Sequence, residues 1–145
     1  MTIVDNLKAR GMIPKAVLYA RFSSDNQREE SIEAQLRAME ENLKAQEVLT
    51  QHYSRQEYVN LNHTFHWLVV EASANKYYEK YLNELQNKVA TYLLFWDSST
   101  TNSLSLDLHL RIFEAFRDRD EQKGVLALME DLQLAEECVR ESQQL

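Results

Sequence analysis

After residue 14 the chain contains no proline and only one glycine, Gly124. Proline and glycine are the residues that most often end helices and form tight turns. A long stretch with almost none of them therefore favours long helices over short strands. The 145 residues match one ordinary domain, and 44% of them are hydrophobic, which is enough to build a core. The sequence therefore predicts an all-α protein.

Apolar residues recur at three- and four-residue spacings, which is the pattern of amphipathic helices. The stripes of the five predicted helices are Ile32, Leu36, Met39 and Leu43; Leu61, Phe65, Leu68 and Ala72 (helix 52–74); Tyr78, Leu82, Leu85, Val89, Tyr92 and Trp96; Leu108, Ile112, Ala115 and Phe116; and Val125, Leu128, Leu132, Ala135 and Val139. We expect a break near Asn75, a loop at 97–103, and Asp120 as the N-cap of the fifth helix.

The N-terminal part differs from the rest. Residues 15–22 have the composition of a short β-strand, and residues 23–28 that of a polar turn. We therefore predict an antiparallel bundle of about five helices preceded by one short strand-like segment. The expected division is a partly disordered leader, residues 1–28, followed by the helical bundle, residues 29–145.

Charge is also divided between these two parts. Residues 1–28 carry five Lys or Arg against two Asp, whereas residues 29–145 carry eleven against twenty-one Asp or Glu. A body with net charge −10 repels a phosphate backbone and suits a basic protein partner, a cation or simple solubility. Cys138 is the only cysteine, no apolar run is long enough to span a membrane, and no signal peptide is evident, so we expect a cytoplasmic protein.

The segment KAVLYARFSSDNQREESIEAQLRAMEE, residues 15–41, closely resembles the start of serine recombinases of the resolvase and invertase type. The resemblance implies that Ser23 is the nucleophile and Arg21 the phosphate-binding arginine. A serine that attacks a phosphodiester needs several cations around the developing charge, and nothing after residue 40 resembles the strands that supply them in that family. We therefore expect Arg21 and Ser23 to be inactive and the protein not to be an enzyme.

Three further motifs lie in residues 31–140: NLNHTFHWLVVEASANKYYEKYLNEL (60–85), HLRIFEAFRDRD (109–120) and LMEDLQ (128–133). In their order and spacing they resemble a second family, the FCD effector domain of GntR-type transcription regulators. The resemblance implies an all-α bundle that dimerises, binds small carboxylates and often holds a divalent metal with one Asp and three His. His66 and His109 match two of these ligands, Asn62 stands where the Asp is expected, and Asp131 stands where the third His is expected.

The spacing of these residues agrees with a metal site. Asn62 and His66 lie one turn apart on one helix face, and both flank the apolar stripe that should face the bundle. His109 shares a face with core residues of the fourth helix, and Asp131 lies beside those of the fifth. Two imidazoles, a carboxylate and a weaker amide ligand suit zinc, nickel or manganese. The alternative is that both histidines are hydrogen-bonded core residues and Asp131 is a solvated charge.

The two resemblances meet inside one predicted helix, residues 31–41, which indicates a natural fusion, a decayed gene or a designed sequence. Regulators of this family begin with a winged-helix DNA-binding domain, and the recombinase-like segment takes that place here. We expect a non-catalytic, homodimeric binding protein for a metal or a small carboxylate. Two alternatives stay open: an acidic interaction module, such as an inhibitor or antitoxin that covers a basic partner, and a serine recombinase fragment.

Overall fold

The structure is a computed structural model that describes residues 26–72, 76–85 and 99–142. These residues are helical except at two turns, 52–54 and 119–120, and they include no strand. The helices are α1 (Asn26–Gln51), α2 (Arg55–Ala72), α3 (76–85), α4 (Ser99–Asp118) and α5 (Glu121–Ser142). The prediction of an all-α bundle is confirmed. None of the described helices is both long and apolar enough to cross a membrane.

One hydrophobic core joins four of these helices. Helix α1 packs against both α2 and α4, and α4 packs against α5. The predicted stripes supply the centre of this core, in which Met39, Phe65 and Ile112 are completely buried. Burying a side chain of this size stabilises the fold by about 1.5–3 kcal/mol, so these contacts decide how the helices are arranged.

The turn between α4 and α5 is closed by hydrogen bonds at both helix ends. The Asp120 amide donates to the Ala115 carbonyl (2.9 Å) and the Arg119 amide to the Phe116 carbonyl (3.2 Å), the pattern of a Schellman cap. Arg119 takes the required left-handed conformation, with φ 56°. The Asp120 carboxylate then accepts a hydrogen bond from the Lys123 amide (3.1 Å), which confirms the predicted N-cap. The two helices therefore fold back on each other after a turn of only two residues.

A second, smaller cluster closes the turn between α1 and α2. Leu49 from α1 is buried against Tyr58 and Val59 from α2, and Tyr53 and Leu61 pack on them. The Tyr58 amide donates to the Ser54 carbonyl (2.9 Å) as α2 begins. This cluster holds α1 beside α2 at the turn and so fixes which residues of the two helices lie opposite each other further along.

Several local predictions were wrong. Residues 26–28 belong to α1 rather than to a polar turn, and residues 99–103 begin α4 rather than a loop, because polar Ser, Thr and Asn are tolerated in the first turns of a helix. Helix α2 begins at Arg55 rather than at residue 52. Leu132 is 48% exposed, because the buried face of α5 runs instead through Ala127, Leu128 and Asp131.

Other predictions lie outside the described residues. They include the strand at 15–22, the break near Asn75 and the end of the third stripe, Val89, Tyr92 and Trp96. In the described part of that third helix, Tyr78 and Leu82 are half-buried, whereas Leu85 is exposed.

Candidate metal centre

Three of the four predicted ligands come together inside the bundle. His66 comes from α2, His109 from α4 and Asp131 from α5. One ligand atom from each of the three lies within 4.8 Å of the other two. His66 Nε2 is 3.2 Å from Asp131 Oδ2, and His109 Nε2 is 3.6 Å from Asp131 Oδ1. The three helices thus contribute one potential ligand each to a single point.

The position of Asp131 follows from the turn between α4 and α5. Because the turn is short and centred on residues 119–120, residues equally far from it on the two helices lie side by side. His109 precedes the centre of the turn by about the same number of residues as Asp131 follows it. The capped turn therefore brings a carboxylate on α5 to the imidazole on α4.

The distances within the cluster fit a small divalent ion. Ligand atoms that each lie ~2.1 Å from a metal are about 3.0 Å apart at octahedral angles and about 3.4 Å apart at tetrahedral angles. The separations from Asp131, 3.2 Å between Oδ2 and His66 and 3.6 Å between Oδ1 and His109, are close to these values, although they involve different oxygens of the carboxylate. The shorter contact also suits a hydrogen bond from His66 to Asp131, whereas the longer one exceeds hydrogen-bond length. Metal binding by the cluster stays a prediction.

His109 is held as a neutral ring. Its side chain is completely buried, and Phe65 stacks on one face with 4.2 Å between ring centroids and 21° between planes. Burial lowers the pKa of His109 to about 3, and the opposing attraction of Asp131 does not restore it. At neutral pH the ring therefore carries one lone pair that is available to a metal without displacing a proton.

Asp131 is held as a carboxylate. Burial by itself raises the pKa of this group, but the hydrogen bond from His66 and the attraction to that ring outweigh burial and leave the pKa below its usual value. A buried negative charge beside a neutral imidazole favours a cation at the same point. Within the described residues this is the buried position best suited to one.

The remaining candidate ligand, Asn62, lies one turn before His66 on α2 and is half-buried. Residues at this spacing share a helix face, so its role as a fourth ligand stays a prediction. The His66 side chain is 20% exposed, which makes it the ligand of the three nearest to solvent.

Arg21 and Ser23, the recombinase-like residues, lie outside the described residues.

The sequence reasoning missed a set of polar residues around His109. Gln46 on α1 is completely buried, and its Oε1 lies 2.8 Å from His109 Nδ1. Ser105 on α4 is buried as well, and its Oγ lies 3.4 Å from His109 Nε2. A signal was present, because Gln46 continues the stripe of Met39 and Leu43 at helical spacing. A polar residue at a core position implies a buried hydrogen-bond partner.

Asn102 was missed too, and it differs from the others. It lies on the same face of α4 as Ser105 and His109, and it is completely buried. Neither its amide nitrogen nor its amide oxygen makes a hydrogen bond. Burying such a group without a partner costs about 1–3 kcal/mol. Asn102 therefore adds an unused hydrogen-bond donor and acceptor to the interior face that carries His109.

The model of the FCD domain matches residues 20–134, which is most of the chain. FCD domains are regulatory, ligand-binding domains of GntR-type transcription regulators; they can bind metals or small molecules, and they commonly dimerise. No curated protein and no solved structure matches the chain.

Proposed function

Because the chain belongs to the FCD domain family, we propose that it is a regulatory binding domain with a divalent metal at its centre. His66, His109 and Asp131 hold the ion, with Asn62 as a weaker fourth ligand, and the ion in turn binds a small carboxylate. Zinc, nickel and manganese are the metals that this mixture of imidazole and carboxylate ligands suits best. The protein acts by binding rather than by catalysis.

The observation that carries this proposal is the convergence of three ligand atoms from three separate helices at a buried point. Two of the three groups are in the state that a metal requires, since His109 is neutral and Asp131 is ionised. The bound ion would supply positive charge to a carboxylate oxygen. Ser105 and Asn102 line the same face of α4 and offer hydrogen bonds to the rest of such a ligand.

The test is the melting temperature of chelator-treated protein at pH 7.5, with and without zinc, nickel or manganese. An ion that binds only where α2, α4 and α5 are assembled stabilises the fold by about 2.7 kcal/mol at a hundredfold excess over Kd. We expect the melting temperature to rise by several degrees for at least one metal. His66→Ala and His109→Ala should each abolish the rise.

A matched control is His52→Ala, because His52 is an exposed histidine at the turn after α1. This variant should keep the full metal response. Asn62→Asp, which adds a carboxylate ligand beside His66, should strengthen the response. If no metal moves the melting curve of the unmutated protein, the cluster is a hydrogen-bonded part of the core and the proposed function is wrong.

The ligand part of the proposal has its own measurement. Acetate is the simplest carboxylate, and we expect it to raise the melting temperature further when the metal is present but not after chelation. An equal effect of acetate with and without metal would show that any carboxylate binds elsewhere.

The proposal includes pairing of two copies, in keeping with the family. Light scattering at micromolar concentration should then give twice the 17.1 kDa mass of one chain. A mass of one chain across that range would contradict the dimer but leave the metal site untouched.

A further inference from the structure

A chain of hydrogen bonds runs from the backbone of α2 through α1 to His109. Asn42 Nδ2 donates to the Leu61 carbonyl (3.1 Å), and Gln46 Nε2 donates to Asn42 Oδ1 (2.6 Å). Gln46 Oε1 then lies 2.8 Å from His109 Nδ1. Gln46 and His109 are completely buried, and Asn42 is only 7% exposed. We call Asn42 and Gln46 the amide relay.

The relay has a fixed direction because it starts at a backbone carbonyl. A carbonyl oxygen only accepts hydrogen bonds, so Asn42 must present its NH₂ group to Leu61 and its oxygen to Gln46. Gln46 must then present its NH₂ group to Asn42 and its oxygen to His109. An oxygen cannot donate, so the hydrogen of this last contact has to come from His109 Nδ1.

We propose that Asn42 and Gln46 are positioning residues that fix His109 in its Nδ1–H tautomer and aim the Nε2 lone pair at Asp131 and His66. Reversing either amide would place two oxygens or two NH₂ groups against each other in a buried site, where water cannot relieve the conflict. The tautomer therefore follows from packing of α1 against α2 and α4, and α1 shapes the site although it supplies no ligand.

The fixed tautomer explains the long contact between His109 and Asp131. With no hydrogen on Nε2, the imidazole cannot donate to the carboxylate, and two lone-pair-bearing atoms face each other at 3.6 Å. The Ser105 hydroxyl, 3.4 Å from Nε2, can donate only a long hydrogen bond to that lone pair. A cation bound between Nε2 and the carboxylate oxygen would accept both lone pairs and so remove their repulsion. Metal-binding histidines usually donate their other ring hydrogen to an oxygen, and Gln46 provides that oxygen here. This consequence for the metal rests on the proposed function, whereas the tautomer itself does not.

The test is the tautomer of His109 in the chelator-treated full chain, read from long-range ¹H–¹⁵N correlations of the imidazole nitrogens. We expect the hydrogen on Nδ1 at neutral pH, before any metal is added. A hydrogen on Nε2 in the unmutated protein would overturn the relay without any variant being needed.

Two variants of Gln46 sharpen the result. Gln46→Leu removes the acceptor, so the hydrogen should move to Nε2, where Asp131 can accept it, and metal affinity should fall by about 10- to 100-fold. Gln46→Glu keeps an oxygen next to Nδ1, and in its protonated form it can still donate to Asn42 Oδ1, so it should retain the Nδ1–H tautomer. If Gln46→Leu also retains that tautomer, the relay does not control the ring.

A matched control lies on α2, where Gln56 Nε2 donates to Asn60 Oδ1 (3.2 Å) in an exposed pair of the same type and spacing. Gln56→Leu should change neither the tautomer nor metal affinity. The two proposals fail separately. An Nδ1–H tautomer in a protein that binds no metal refutes only the proposed function, and an Nε2–H tautomer in a protein that binds metal refutes only the relay.

Discussion

Glu130 and Asp131 are neighbours on α5, and each reaches a partner on α4, yet their surroundings are opposite. Glu130 forms an ion pair with Arg111 on the outer surface, where its side chain is 50% exposed. Asp131 faces His109, as well as His66 of α2, with its side chain only 9% exposed. Successive residues of a helix point about 100° apart, so one step along α5 takes a carboxylate from water into the bundle.

The pKa of each carboxylate is lowered, but the effect of burial relative to that of the hydrogen-bond partners differs between the two. For Glu130 the hydrogen bond from Arg111 is the largest influence and lowers the pKa, and burial opposes it without reversing it. For Asp131 burial is the largest influence and acts to raise the pKa, and the hydrogen bond from His66, together with the attraction to that ring, overcomes it. The exposed pair is therefore replaceable by water, whereas the buried carboxylate depends on its partners. Only the buried carboxylate, Asp131, requires a hydrogen-bond donor or a positive charge from the surrounding protein.

The largest predicted effect concerns Asp131. Replacing it in Asp131→Ala leaves the ring hydrogen of His66 without its buried acceptor and removes the negative charge from the cluster. We expect the free energy of unfolding of chelator-treated protein to fall by about 2–3 kcal/mol, and the response to added metal to disappear. Urea denaturation at pH 7.5 measures the first effect. An undiminished free energy of unfolding would show that Asp131 is as replaceable as Glu130.

The next effect is the pH dependence of stability, which His109 should dominate between pH 6.5 and 4. Its pKa is about 3 in the folded protein against 6.5 in the unfolded chain, so in this range the unfolded chain binds a proton that the folded protein does not. Stability is therefore complete above pH 6.5 and falls as the pH is lowered, by about 2 kcal/mol between pH 6.5 and 5. Asp131 adds a loss only below its unfolded pKa, 3.8.

Urea denaturation of chelator-treated protein at pH 7.5, 6 and 5 measures this slope. His52→Ala should keep it, because His52 is exposed. His109→Asn, if it folds, should flatten it, because the unfolded chain then loses the proton-binding group. Equal stability at pH 7.5 and 5 in the unmutated protein would contradict the neutral, buried state of His109.

The smallest effect is expected for the exposed pair. Glu130→Ala should lower the free energy of unfolding by less than about 1 kcal/mol, because an ion pair in water gains little over its separate hydrated charges. The difference should shrink further in high salt, which screens exposed charges but not buried ones. The metal response should be unchanged. A loss as large as that of Asp131→Ala would remove the contrast between the two carboxylates.

The sequence by itself determined the fold class and much of the core. The scarcity of proline and glycine and the apolar stripes indicated helices, and Met39, Phe65 and Ile112 are buried as their spacing predicts. Asp120 caps α5 as its residue type suggests. These properties are local, since each depends on residues within a few turns of one helix, so a single sequence is enough to show them.

Helix boundaries were less predictable, because a polar segment such as SSTTNS fits either a loop or a first helical turn. Packing on the rest of the bundle decides between them. The same holds for Leu132, whose place in a stripe did not bury it, because the turn at 119–120 rotates Asp131 toward α4 and so leaves Leu132 facing solvent. An apolar stripe shows roughly which face of a helix is buried, whereas packing against the neighbouring helices sets the exact rotation of the helix about its axis.

Tertiary structure alone decided the environment of the candidate metal centre. The sequence named Asn62, His66, His109 and Asp131 as ligands, but it left open whether Asp131 was a solvated charge. The structure buries Asp131 and places it beside His66 and His109. Gln46 lies 63 residues from His109 in the chain, and no local pattern connects them. Their contact arises because α1 packs against α4, and the direction of that hydrogen bond arises because α1 also packs against α2.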